Sequence, residues 1–143
     1  MAPKAEDRFD SLFIYYAHQY DIPDWHWLKA LVKQESQFDP MARSTDGAAG
    51  LAQLRAQTFN EWAIRLGVKS PNPYDPEKSI QCEAGYFRWL LDNFHNNVDR
   101  ALGAYSAFGV ANEMLHKQWP LSTQTYVAHV KRYFDEYTGH ERN

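Results

Sequence analysis

The spacing of apolar residues predicts helices along most of the chain. Apolar positions recur three or four residues apart, which is the repeat of one helix face. No long run shows the two-residue repeat of a β-strand. The predicted helical ranges are 7–20, 25–38, 58–67, 76–95, 98–106, 110–116 and 122–137. The pattern therefore predicts an all-α bundle of about six to seven helices with short connections.

Polar residues, prolines and glycines mark the predicted helix ends. Pro76 follows Asp75 directly, and this pair favours a helix start. Thr58 precedes Glu61 by three residues, which is the spacing of a capping box, and Gly67 is placed to end that helix. The predicted N-caps are Asp24, Thr58, Asp75 and Ser122.

A carboxylate interrupts the apolar pattern of the second predicted helix. Leu28, Leu31 and Val32 share one face, and Glu35 occupies the next position on it. A carboxylate on a core-facing stripe must be hydrogen-bonded, exposed in a cleft, or shifted in pKa so that it is partly neutral. Each of these states suits an acid catalyst, so Glu35 is a candidate catalytic residue. Periodicity alone also allows an ordinary surface glutamate.

A loop of small residues follows this helix. Pro40 ends the helix because the residue before a proline disfavours the helical conformation. Residues 44–50 are mostly small, which permits close approach of backbone or ligand, and Gln53 can both donate and accept hydrogen bonds. Ser44 and Gln53 are therefore candidates for binding substrate or orienting Glu35. Both can also serve only to hold the loop.

Composition and charge exclude several classes of function. Hydrophobic residues make up 44% of the chain, as in folded globular proteins. No apolar run approaches the ~20 residues of a membrane span, so we expect a soluble protein without membrane insertion. The formal net charge of −3 argues against nucleic acid as a partner. The six histidines lack metal-ligand spacing, so neither a metal nor another cofactor is predicted.

Length and cysteine content predict a single domain. The 143 residues suffice for one core, expected over about residues 9–137, and we expect a monomer. Cys82 has no second cysteine with which to form an internal disulfide. The N-terminal residues MAPKAEDRFD lack an apolar signal core, which predicts synthesis in the cytoplasm without a signal peptide.

The residues around Glu35 resemble the signature of a known family. The motif E-S-x-F at 35–38 is followed by G-A-x-G-L-x-Q at 47–53. Together they resemble the soluble lytic transglycosylase (SLT) domain, which is related to goose-type lysozyme and cleaves peptidoglycan. Two motifs at a fixed separation make this a specific match. Further positions that fit the family pattern are Pro40, Ala42, Ser44 and Thr58.

The resemblance continues through the second half of the chain and implies a lysozyme-like helical bundle. The segments NPYDPEKSI at 72–80, ALGAYSAFG at 101–109 and TQTYVAHV at 123–130 resemble the later family motifs. The family pattern implies that one of Tyr105 and Tyr126 lies beneath the sugar and the other near the catalytic carboxylate, although both can be core aromatics. The departures from the pattern are Ala52 for Met, Ser106 for Asn and Ser122 for Glu.

The departure at Ser106 affects the expected site, because a shorter hydroxyl replaces an amide that could contact the N-acetyl group of the substrate. The resemblance implies that the enzyme cleaves the β-1,4 bond between N-acetylmuramic acid and N-acetylglucosamine in peptidoglycan strands. It also implies formation of a 1,6-anhydro ring with Glu35 as the single acid and base.

Two alternatives remain open at this point. One is a muramidase in which Asp46 or Asp39 activates water, and the other is a non-catalytic wall-binding or virion module. For an enzyme without a signal peptide, action on periplasmic peptidoglycan suggests a phage lysis enzyme released through a holin, or a virion-associated enzyme.

Overall fold

The computed structural model describes residues 4–113 and 119–139, and most of their regular structure is helical. The described residues form six α-helices: α1 (Asp10–Gln19), α2 (His26–Ser36), α3 (Ala56–Leu66), α4 (Pro76–Asn93), α5 (Val98–Glu113) and α6 (Leu121–Thr138). A 3-10 turn precedes α1, and two short antiparallel strands, β1 (Ala48–Ala49) and β2 (Leu54–Arg55), form a hairpin between α2 and α3. The predicted all-α bundle is confirmed.

The core forms where α4 packs against α1, α2, α3 and α5. The predicted apolar stripe of α4 is buried as expected: Ile80, Ala84, Phe87, Leu91 and Phe94. The α2 helix packs along α6, which in turn contacts α5. The helices α2, α4, α5 and α6 therefore meet in one region of the bundle. Within residues 4–113 and 119–139, no helix has both the length and the apolar character needed to cross a membrane.

Two of the predicted N-caps are wrong. The α3 helix follows Arg55 directly, so Thr58 lies inside the helix and forms no capping box with Glu61. The α6 helix follows Pro120, so Ser122 also lies inside it. In both cases the backbone is extended at the earlier residue, with ψ of 154° at Arg55 and 150° at Pro120. Each helix begins directly after this extended residue, although the hydroxyl residue predicted as its N-cap comes later in the chain.

Other predicted helix ends agree with the structure. Asp75 caps α4 by accepting the backbone N–H of Lys78 at 3.1 Å. Gly67 ends α3 in the left-handed conformation, with φ of 68°. The start of α2 is displaced by one residue from the prediction, but the Asp24 carboxylate still accepts the backbone N–H of His26 at 2.9 Å.

The break in α5 agrees in part with the prediction. We expected one helix over 98–106, with Gly109 at its exit, and a separate helix over 110–116; α5 instead runs to Glu113, but one non-helical residue interrupts it directly after the first predicted range. That residue is Ala107, with φ of −152° and ψ of 80°. Residues 114–118 lie outside the described residues. The break therefore follows Ser106 immediately and changes the direction of the chain beside the predicted site.

Candidate active site

Glu35 lies near the C-terminal end of α2, where the buried stripe of that helix reaches a cleft. Leu28, Leu31 and Val32 are fully buried, whereas Glu35 is half-buried. The hydroxyl of Tyr126 on α6 donates a hydrogen bond of 2.6 Å to Oε2 of Glu35. The packing of α2 against α6 thus joins two residues that are 91 positions apart in the chain.

The cleft beside Glu35 has a volume of about 700 Å³. This is within the usual range for pockets that bind small ligands. It collects all the site residues that the sequence predicted: Glu35, Ser44, Gln53, Tyr105, Ser106 and Tyr126. Polar side chains that the prediction did not assign to the site also line it: Gln34, Arg55, Thr58 and Tyr86.

The ionisation of Glu35 is strongly affected by its surroundings. Burial raises the pKa of Glu35 from its ordinary 4.5 to about 7. The hydrogen bond from Tyr126 opposes this shift, because it favours the carboxylate, and the negative charge of Asp46 adds to it. Near neutral pH, Glu35 is therefore present in both the protonated and the ionised form. A group that acts first as an acid and then as a base needs this property.

The loop that carries the second sequence motif is fixed against the segment before α4 and against the first turn of α4. Gly50 adopts a left-handed conformation with φ of 78°, and a Cβ at this position would lie 1.9 Å from the carbonyl oxygen of Pro73. The backbone N–H of Ala52 donates to the hydroxyl of Ser79 at 3.1 Å. Only glycine permits this approach of the two backbones, which holds the loop beside Glu35.

The hydrogen bonds of Ser44 and Gln53 are made within this loop. The side-chain amide of Gln53 donates to the carbonyl oxygens of Ala42 at 3.0 Å and of Gly50 at 2.9 Å. The hydroxyl of Ser44 donates to Asp46 and accepts a backbone N–H four residues later at 2.9 Å. Both side chains hold the shape of the loop while lining the cleft.

The two predicted site residues on α5, Tyr105 and Ser106, also line the cleft. Tyr105 is buried, and its hydroxyl donates to the carbonyl oxygen of Ala52 at 2.8 Å. Its ring lies 5.5 Å from that of Tyr86, centroid to centroid. Ser106 is exposed at the cleft. Tyr126 is therefore the tyrosine that contacts Glu35, whereas Tyr105 connects α5 to the loop.

Asp46 and Asp39, the two predicted candidates for a second carboxylate, are both exposed. Asp46 lines the main cleft and forms an ion pair of 2.9 Å with Arg55. The hydroxyl of Ser44 holds the pKa of Asp46 below its usual value, with a further contribution from Arg55. Asp39 lies instead on a neighbouring depression that also reaches Glu35.

Sequence patterning missed a carboxyl close to this site, Glu83 on α4. Its side chain is fully buried, and neither carboxyl oxygen hydrogen-bonds to any of the described residues. Burial raises the pKa of Glu83 well above its ordinary value, and the charge of Glu35 raises it further. A signal was present in the sequence, because Glu83 follows the core residue Ile80 by three positions.

Comparison with known proteins supports the resemblance found in the sequence. The model of the "Transglycosylase SLT domain" family matches residues 11–118. A membrane-bound lytic murein transglycosylase F of Photobacterium profundum is 36% identical over 121 residues, covering 78% of this chain and 22% of the relative. The soluble lytic murein transglycosylase of Escherichia coli is 31% identical over 110 residues, covering 71% of this chain and 17% of that relative.

A solved structure has the same fold. The 70 kDa soluble lytic transglycosylase of Escherichia coli superimposes with a TM-score of 0.82 at 25% identity, over 93% of this chain and 25% of that protein. The chain thus spans only about a quarter or less of the length of these relatives. Because the family model covers most of the sequence, the chain belongs to the transglycosylase SLT domain family.

Proposed function

We propose that the chain is a peptidoglycan lytic transglycosylase in which Glu35 is the single acid and base. The observation that carries this proposal is a half-buried carboxyl with a pKa of about 7 at the wall of a cleft. The two relatives are named as lytic murein transglycosylases, and this chain covers 22% of one and 17% of the other.

The first step of the proposed reaction is protonation of the leaving sugar. Neutral Glu35 donates its proton to the glycosidic oxygen that joins N-acetylmuramic acid to N-acetylglucosamine. The bond from that oxygen to the anomeric carbon breaks, and positive charge develops on the muramic ring. Burial keeps the proton on Glu35 near neutral pH, where an exposed glutamate would be ionised.

The second step closes a ring within the muramic sugar. The Glu35 carboxylate takes the proton of the C6 hydroxyl, and the C6 oxygen bonds to the anomeric carbon to form the 1,6-anhydro product. The Tyr126 hydroxyl, 2.6 Å from Glu35, stabilises the carboxylate between the two steps. Glu35 regains its proton, and no water is consumed.

We assign the other predicted site residues to substrate binding and loop support. Ser44 and Gln53 hold the loop beside the glycan, with their side chains at the cleft surface. Tyr105 contributes its ring to the cleft wall, because its hydroxyl already donates to Ala52. Ser106, which is exposed at the cleft, is placed to contact the sugar substituents.

Hydrolysis by a two-carboxylate mechanism is the second candidate function. Asp46 favours it, because this carboxylate lines the same cleft and its charge raises the pKa of Glu35. Its contacts with Ser44 and Arg55 hold it at the exposed rim, which favours the single-carboxyl route.

Mass spectrometry of digested sacculi tests the two routes. Transglycosylase products are lighter by one water than the corresponding hydrolysis products, and we expect the lighter series. Asp46→Asn should retain activity on the single-carboxyl route, with Asp92→Asn as a matched exposed control that also loses an ion pair with arginine. Hydrated products together with an inactive Asp46→Asn would assign the hydrolase instead.

Tyr126→Phe should slow turnover and move the alkaline limb of the pH–activity profile upward. The hydroxyl favours the Glu35 carboxylate, so its loss raises the pKa of Glu35. We expect the maximal rate to fall by about ten- to a hundredfold, in line with the net worth of about 1.5–3 kcal/mol for one hydrogen bond to a charged group. Muropeptide release measured across the pH range checks this, with Tyr133→Phe on the same helix as control. A downward shift of the limb would contradict it.

We infer that periplasmic peptidoglycan is where the chain acts, because the bacterial relatives are named for their action on murein. A phage-lysis role with release through a holin, and a monomeric state, stay predictions from the sequence.

A further inference from the structure

Glu83 occupies a position where an ionised carboxylate is unfavourable. None of its side chain is exposed, and its two oxygens hydrogen-bond to none of the described residues. A buried carboxylate ion needs hydrogen-bond donors or a cation, because it has lost its hydration. A neutral carboxylic acid avoids this cost, and it also brings an O–H donor of its own.

Several groups that interact electrostatically with Glu83 carry oxygens that can accept hydrogen bonds. Glu35 on α2, Tyr105 on α5 and Tyr126 on α6 all lie within electrostatic range of the Glu83 carboxyl. Tyr86, on the same helix as Glu83, interacts electrostatically with Tyr105 and Tyr126. The hydroxyl protons of Tyr105 and Tyr126 are already donated, to a backbone carbonyl and to Glu35. Their oxygens and the Glu35 carboxylate are therefore acceptors.

We propose that Glu83 is a positioning residue for Glu35, acting as a neutral carboxylic acid that adds an O–H dipole, and no second negative charge, to the buried surroundings of Glu35. The proposal rests on the proposed function, in which Glu35 alternates between acid and carboxylate. Glu83 keeps its proton throughout the cycle. It is fully buried and is not among the residues that line the cleft, so it acts on Glu35 from within the protein.

Glu35 and Glu83 lose their protons in different pH ranges because their surroundings differ. Burial and the charge of Glu35 together raise the pKa of Glu83 well above its ordinary value. Glu83 is fully buried without a hydrogen-bond donor among the described residues, whereas Glu35 is half-buried at the cleft and accepts the Tyr126 hydrogen bond, so Glu35 ionises first and Glu83 stays neutral. Asp46 contributes a further negative charge that acts on Glu35 from the cleft. One carboxyl thus titrates in the working pH range while its neighbour holds a fixed proton.

Two substitutions at Glu83 distinguish a neutral hydrogen-bond donor at this position from an ionised carboxylate. Glu83→Gln keeps the shape and an N–H donor, so it should retain at least about half of the wild-type turnover and the same alkaline limb. Glu83→Leu keeps the size without a donor. It should lower turnover about tenfold, leave the KM for sacculi nearly unchanged, and move the alkaline limb upward, because the Glu35 carboxylate loses a neighbouring O–H dipole that favours its charge.

Each other outcome would overturn the proposal. If Glu83 were ionised, both substitutions would remove a negative charge and move the alkaline limb downward. If it were only a packing residue, Glu83→Leu would keep the wild-type turnover and pH profile. If Glu83→Gln were inactive, Glu83 would itself transfer a proton. The control is Glu61→Gln, an exposed glutamate paired with Arg65 on α3, which should change none of these values.

Infrared spectroscopy tests the protonation state without relying on activity, and it decides the question if Glu83→Leu does not fold. In folded Glu35→Gln protein at mildly alkaline pH, the C=O band of a protonated carboxyl should persist, and it should disappear in Glu35→Gln/Glu83→Gln. Absence of the band in the single variant would overturn a neutral Glu83. Failure of the proposed function is distinct, because it would appear as hydrated products or as an active Glu35→Gln.

Discussion

Glu35→Gln is expected to abolish peptidoglycan cleavage, with a rate reduction of about a thousandfold or more, while the fold is retained. The amide has nearly the same shape as the carboxyl but cannot deliver a proton to the glycosidic oxygen. The Tyr126 hydroxyl can still donate to the amide oxygen, so the contact between α2 and α6 survives. Muropeptide release from purified sacculi measures the loss.

The same variant should be more stable than the wild type at neutral pH. Because the pKa of Glu35 is about 7 in the folded state and 4.5 ordinarily, the folded protein binds more protons between these values. The wild-type free energy of unfolding therefore falls as pH rises through this window, by at most about 1.4 kcal/mol per pH unit. The loss is complete above about pH 7. Glu35→Gln has no carboxyl to ionise at this position, so its free energy of unfolding at neutral pH should exceed that of the wild type by an amount on the order of 3 kcal/mol.

Urea unfolding of both proteins at several pH values across this window measures the difference. Glu61→Gln, which removes an exposed carboxylate from α3, is the control and should follow the wild-type curve. A Glu35→Gln protein that unfolds at neutral pH would give Glu35 a structural role. A fully active variant would remove it from the proposed chemistry.

The prediction of Glu35 and the omission of Glu83 have the same physical origin. Helix periodicity identified Glu35 because α2 has a narrow buried stripe that the carboxylate interrupts. In α4 the apolar residues form a complete stripe without Glu83. Since α4 packs against several helices at once, its buried surface is wider than one stripe and includes Glu83. The spacing from Ile80 places Glu83 beside the apolar stripe, but only the helices packed around α4 determine that this position is buried.

The contacts that assemble the site were also beyond local patterning. The sequence indicated that Ser44 and Gln53 can hydrogen-bond, but it did not indicate that their described bonds lie within the loop. The approach of Tyr126 to Glu35 depends on how α6 packs against α2. The family motif brought these residues together in the prediction, and packing determined the contacts that each one makes.

Gly50→Ala should destabilise the protein more than an ordinary glycine substitution. The new Cβ would lie 1.9 Å from the carbonyl oxygen and 2.9 Å from the carbonyl carbon of Pro73. Both are backbone atoms that cannot rotate away, so the loop or the segment before α4 must move. With the left-handed φ of 78° added, we expect a loss of about 3 kcal/mol or more. Denaturant unfolding measures this loss.

Gly67→Ala is the matched control for this substitution. Gly67 has a similar φ of 68°, but a Cβ there would meet none of the described atoms within 4 Å. Gly67→Ala should therefore lose only the stability that a left-handed alanine costs, about 1–2 kcal/mol, and it should retain activity. Gly50→Ala should also lose activity, because displacing its loop moves Ser44 and Gln53 away from Glu35. Equal losses of stability in the two variants would mean that the loop adapts freely, and the close approach to Pro73 would then not be what holds the site together.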